Sequence, residues 1–103
     1  MENIINISSE LNSQLAVNEE KASNLWNTLL ERYKNSQSEL IIDFSGMRVI
    51  ISPFMRSLLK PLYNSWVDFE GKNFNDERSQ NIYNRVIEEF NKIWTESIRE
   101  ISI

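Results

Sequence analysis

Apolar and polar positions along this chain alternate between two periods. Residues 3–8, Asn3-Ile4-Ile5-Asn6-Ile7-Ser8, are short, apolar and β-branched, which predicts a strand. Residues 9–17 carry no clear period. Ala22, Leu25, Trp26, Leu29, Leu30 and Tyr33 then recur at three- and four-residue spacing and predict an amphipathic helix over 19–36. Asn18 suits its N-cap, and Glu19 and Glu20 suit the positive end of the helix. Leu40-Ile41-Ile42-Asp43-Phe44 is a near-continuous apolar run, expected of a strand covered on both faces. Ser45-Gly46 turns the chain, and residues 47–51 are apolar except for Arg48. Ser52-Pro53 reads as a helix start, with Ser at the N-cap and Pro at the first helical position.

Phe54, Met55, Leu58, Leu59, Leu62, Tyr63 and Trp66 give that second helix a buried stripe. Pro61 lies inside the stripe and is expected to kink or end the helix near Lys60. Residues 68–76 hold Gly71 and several Asn and Asp but no aliphatic residue, and read as a loop. A long helix over 76–98 follows, opened by Asn75 or Asp76, with Ile82, Tyr83, Val86, Ile87, Phe90, Ile93, Trp94 and Ile98 on one face. The spacing pairs Glu88 with Lys92 and Arg85 with Glu89. The tail Ile101-Ser102-Ile103 suits a helix end or a short strand. The order β, α, β, α, α contains a βαβ unit with parallel strands. Two strands do not make a stable sheet, so a third is expected from 10–17, from 67–69, from the tail or from a partner chain.

Composition narrows the chemistry. The 103 residues suit one domain, and 41% hydrophobic against 25% charged residues is an ordinary globular mix. There is no Cys and no His, so a disulfide framework, a thiolate metal site, a cysteine nucleophile and the commonest general base are all missing. Two glycines are too few for a phosphate-cradling loop. A net charge of −4 opposes direct binding to nucleic acid. No apolar run approaches the roughly 20 residues that cross a bilayer, and the start lacks the pattern of a signal peptide. A cytoplasmic protein without a membrane partner is the expectation.

Residues 40–59, L-I-I-D-F-S-G-M-R-V-I-I-S-P-F-M-R-S-L-L, resemble the central signature of STAS and STAS-like domains. These include anti-sigma-factor antagonists, the tails of sulphate transporters and a bacterial STAS-like family of unassigned function. Their pattern is a buried strand ending in an Asp-Phe or similar pair, a short loop, and a serine that starts a helix. Here these are Asp43-Phe44, the loop 45–51 and Ser52. Phosphorylatable members carry Asp-Ser-Ser-Gly or Asp-Ser-Thr-Gly where this chain has Ile51-Ser52-Pro53-Phe54, so only the serine is shared. The resemblance covers about residues 1–66. It implies a single small α/β domain, a β-α-β-α unit, with a divergent, helix-rich part over 67–103 packed on it. It also implies a module that works by binding, with residues 45–54 as the contact surface, Ser52 as a candidate phosphorylation switch, and a kinase-like ATPase or another regulator as partner.

The candidate partner-binding residues are Arg48, Ser52, Phe54, Phe69 and Phe74. Phosphorylation of Ser52 would add a charge of about −1.5 to −2 at the partner surface; the plain alternative is an N-cap serine. Asp43 is either a catalytic or metal carboxylate or the acid that caps the Ser45-Gly46 turn. Arg48 either pairs with Asp43 or meets an acidic partner. Phe69 and Phe74 lack a period and are expected to be exposed contacts, whereas Trp26 and Trp94 lie on apolar stripes and are expected in the core. Glu88, Glu89, Glu96 and Glu100 suggest an acidic recognition face or a nucleic-acid mimic; the interleaved Arg85, Lys92 and Arg99 argue instead for a plain solvated face of mixed charge. The leading expectation is a non-enzymatic, regulatory protein-binding module, with no catalytic, cofactor or metal site. The alternatives are a small acidic inhibitor, of the kind phages encode, that blocks a basic site on a partner, and a structural homodimer.

Overall fold

The computed structural model describes residues 3–36 and 38–101 and has the expected α/β architecture. The elements in order are β1 (Asn3–Asn6), α1 (Ile7–Leu11), β2 (Leu15–Ala16), α2 (Glu19–Ser36), β3 (Leu40–Asp43), β4 (Val49–Ile50), α3 (Ser52–Asn64), β5 (Phe69–Lys72) and α4 (Glu77–Ile101). The main sheet has the order β1-β3-β5, and both pairings are parallel. Its register places Ile41 between Ile4 and Glu70, and Asp43 between Asn6 and Lys72. A second, two-stranded parallel sheet pairs β2 with β4, with Leu15 opposite Val49 and Ala16 opposite Ile50.

Several local expectations change. The first strand stops at Asn6, because the Asn6 side chain accepts the Ser9 N–H at 2.8 Å and caps α1. Ile7 and Ser8 are therefore helical. Asn12 ends α1 in the left-handed conformation at φ 52, which asparagine tolerates. The third strand comes from the supposed loop 68–76, as β5. Its alternation is hidden in the sequence because the inward position beside Ile42 is Gly71, where a side chain has no room. Pro61 does not end α3. Buried Leu62 holds the next turn on the core, and the Pro61 carbonyl accepts the Ser65 N–H at 3.1 Å. The helix stops at Asn64, so Trp66 leaves the stripe. At φ 59 it stands 74% exposed.

Other boundaries are met. Asn18 accepts the Glu20 N–H at 2.9 Å, and Asp76 accepts the Ser79 N–H at 2.8 Å, capping α2 and α4. The last helix runs on to Ile101, and the rest of the tail, Ser102 and Ile103, lies outside the described residues.

α2 packs on α3 and against β1 and β3, and α3 packs on α4. Ile5, Leu40 and Ile42 meet Leu25 and Leu29 of α2 and Met55, Leu58, Leu59 and Leu62 of α3 in one core. Each fully buried side chain of this size contributes about 1.5–3 kcal/mol. Asn3, buried at the start of β1, donates to the Ser36 hydroxyl at 2.8 Å. Among the described residues no helix covers the opposite face of the sheet, with Ile4, Ile41, Glu70 and Lys72, contrary to the expectation that the 40–44 strand is covered on both sides.

Candidate functional site

The segment 45–51 begins at a turn fixed from three directions. Asp43, at the end of β3, accepts the Ser45 N–H at 2.9 Å, so it caps the turn. Asn6 donates to Asp43 at 3.2 Å and to the Ser45 hydroxyl at 3.1 Å, and Asn73 donates to Asp43 at 3.2 Å. Burial pushes the Asp43 carboxyl up, but the hydrogen bonds from Ser45, Asn6 and Asn73 outweigh it and hold it below its ordinary value. Gly46 takes φ +84, a left-handed conformation that suits glycine. Asn75 receives the Gly46 N–H at 3.4 Å and donates to the Met47 carbonyl at 2.6 Å.

Beyond the turn, the loop is laced to the first part of the chain. The Gln14 carbonyl accepts the Arg48 N–H at 2.8 Å, and the Ala16 carbonyl accepts the Ile51 N–H at 3.1 Å. Strand alternation does the rest. Ala16 and Ile50 point inward and are buried, while Leu15, Val17 and Val49 are 50%, 47% and 44% exposed. Leu15 and Val49 are cross-strand neighbours, so their side chains form a continuous apolar strip beside Arg48.

At the end of the strip the chain enters α3. Ile51 is the N-cap, in extended conformation, and no side chain caps the helix. Ser52 is already helical, one position too late for the cap role expected of it, because the extended stretch of β4 continues through Ile51. Its half-buried side chain lines a cleft of about 240 Å³ with Arg48, Asp76, Arg78 and Ile82. An adjoining depression brings Glu77, Asn81 and Arg85 to the same serine.

The sequence-derived contact residues therefore divide. Arg48 and Ser52 lie on this surface. Phe54, expected there, is 1% exposed and part of the core, because it falls on the inward side of the first turn of α3. Phe69 and Phe74, expected as exposed contacts, are half-buried and packed against the core. The Phe74 ring stacks on Phe44 at 4.8 Å and tilts against Tyr83 at 5.2 Å. Trp26 packs on the core as expected, but Trp94 is 45% exposed and meets Trp66 edge-on at 5.2 Å. Arg48 makes no ion pair with Asp43, which is surrounded by amides and Ser45.

The acidic face is partly engaged. Glu89 binds Arg56 of α3 at 2.9 Å in place of the expected Arg85, and this hydrogen bond holds its carboxyl below the ordinary value. The side chains of Glu96 and Glu100 lie outside the described ones. Among the described residues, no group of three acidic, His or Cys side chains could hold a metal ion. Among them, too, no helix is long and apolar enough to cross a membrane.

Leu15, Val17, Arg78 and Arg85 were missing from the sequence-derived site, and Val49 lay inside the expected 45–54 surface without being singled out. Leu15-Ala16-Val17 between Ser13 and Asn18, and Val49-Ile50 after Arg48, were the available signal: short apolar stretches bounded by polar residues. The two arginines gave none, since only the fold of α4 beside α3 brings them to Ser52. In comparisons with known proteins, no family model, no curated protein and no solved structure matches this chain.

Proposed function

We propose that the chain is a non-enzymatic regulatory module that binds another protein through the surface built by β2, β4 and the start of α3. The observation that carries this reading is the Leu15–Val49 pair, exposed side by side and extended by Val17. Exposed apolar side chains held in a hydrogen-bonded frame suit a preformed contact surface, since little ordering remains to be done on binding. Arg48 at its rim supplies a charge for orientation.

The resemblance to STAS-like domains supports the same surface, because residues 45–54 form the loop and helix start that the resemblance implies. It extends the proposal to Ser52 as a switch and to a kinase-like ATPase or similar regulator as partner. A phosphate on Ser52 would enter a cleft lined by Arg48, Arg78 and Asp76, with Arg85 and Glu77 adjoining, where three guanidinium groups against two carboxylates would receive its oxygens. The modified surface would lose positive character next to the apolar strip.

The test is affinity capture with three immobilised chains: wild type, Leu15→Asp/Val49→Asp, and Trp66→Ala as a control on a distant surface. A partner held by wild type and by Trp66→Ala but lost by the double variant is the expected result. Retention of the same proteins by the double variant would overturn the assignment of the surface. Incubation with the captured kinase and ATP, followed by mass spectrometry, tests the switch, and an unmodified Ser52 would remove it.

A further inference from the structure

We infer that the open face of the β1-β3-β5 sheet is a docking site for a basic amphipathic helix presented by another protein. Parallel sheets occur almost only with both faces covered, because their crossover helices fall on the faces. Here β1-β3-β5 is wholly parallel, yet α2, α3 and α4 collect on one side. The other side is a trough of about 430 Å³ lined by Ile4, Ile41, Asp43, Glu39 and Lys72 among others.

Its chemistry names the occupant. Ile4 and Ile41 are cross-strand neighbours at its centre, and Ile4 is 40% exposed on an edge strand. Around them, among the described residues, stand Glu39 at the N-terminal end of β3, Glu70 at the β5 side and Asp43 at the C-terminal end, against the ammonium of Lys72. Lys72 lies 3.8 Å from Glu70, and both are exposed. An apolar centre with a rim of carboxylates complements a helix with an aliphatic stripe flanked by Lys or Arg. The same rim opposes a second copy of this chain. A two-fold contact would set three carboxylates against three, with one ammonium on each side. A helix of about 18 residues is about 27 Å long and spans the three strands with room to spare.

The probes are two synthetic helical peptides with the same Leu stripe, one with Lys and one with Glu on the flanks. Binding is followed by methyl and amide NMR on the full chain. The expected result is saturable shifts at Ile4 and Ile41 with the Lys peptide and none with the Glu peptide. Affinity should fall about tenfold or more in Glu39→Lys/Glu70→Lys. Both positions are exposed; if the double variant loses its native circular dichroism, the two single variants are read instead. Any of four results would overturn the inference. These are no binding of the Lys peptide, shifts centred on Leu15 and Val49, equal affinity for the charge-reversed chain, and concentration-dependent shifts at Ile4 and Ile41 without peptide, which would make a second copy the occupant.

Discussion

The backbone N–H of Gly71 donates to the hydroxyl of Tyr83 at 3.0 Å, tying the last helix to the outer edge of the main sheet. Asp68, just before β5, and Lys72 turn their carbonyls to β3, where they accept from Leu40 and Phe44, and the Gly71 N–H between them faces the free edge of the sheet. A side chain occupies a place where a further strand would otherwise bond.

This contact makes Gly71→Ala informative. A Cβ at position 71 would lie 2.8 Å from Tyr83 and 3.0 Å from both Phe44 and Phe74. The rings stack on one another and have little room to move, so the substitution should cost about 1–3 kcal/mol. Tyr83→Phe leaves the space intact but removes the acceptor, at a cost of about 1–3 kcal/mol. Urea denaturation measures both, and a neutral Gly71→Ala would contradict the packing described.

Phe54 and Ser52 lie two residues apart and should behave oppositely. Phe54→Ala opens the core and should cost about 3–5 kcal/mol, enough to threaten the fold. Ser52→Ala removes no cap bond and should change stability by no more than about 0.5 kcal/mol. Thermal melts of the two variants separate a core position from a surface one.

Acid and alkali should act through different groups. Asp43 titrates below its ordinary value in the folded chain, as do exposed Asp76, through its bond to the Ser79 N–H, and Glu89. Their contribution is present above the unfolded carboxylate range and is lost as pH falls through the depressed folded values, so unfolding should set in below about pH 4. Burial pushes the Tyr83 phenol up. Its contribution is intact below the unfolded value of about 10 and is lost as pH rises through the higher folded one. With no His, stability should stay flat between about pH 6 and 8. Asp43→Asn should flatten part of the acid limb in melts recorded across pH.

The Trp66–Trp94 pair offers an optical check. Two indoles 5.2 Å apart and nearly perpendicular couple their transitions. Trp66→Phe and Trp94→Phe should each abolish the same feature of the circular dichroism spectrum. Trp66→Gly relieves the left-handed backbone by about 1 kcal/mol and forfeits an aromatic contact of similar size, so its stability should stay within about 1 kcal/mol of wild type.

Much of the fold was legible in the residues. The period of Ala22 to Tyr33, the run of 40–44 and the Asp76 start each identify an element, because burial and capping impose local patterns. β5 was only touched by the expectation of a strand at 67–69, because Gly71 and Lys72 erase the apolar alternation beyond Phe69, and its strand is defined by what lies beside it. Trp66 and Trp94 escaped for a related reason. Their spacing continues the stripes of their helices, but α3 ends before it can bury either ring. At the candidate site, Arg48 and Ser52 were visible through the loop and helix start. The Leu15–Val49 strip needs two segments more than thirty residues apart in sequence to meet.

The main sheet has no hairpin anywhere in it. Asn3 pairs with Leu40, and Leu40 with Phe69, so β1 must wait for β3, and the second edge of β3 for β5, each emerging from the ribosome a full helix later. A nascent chain that ends before residue 40 has no partner for β1, and one that ends before residue 69 exposes β3 along one edge. Such non-local pairing slows folding and leaves apolar edges open while synthesis continues. Production of this protein should therefore be most vulnerable to aggregation during translation, when the first two-thirds of the chain exist without the last strand.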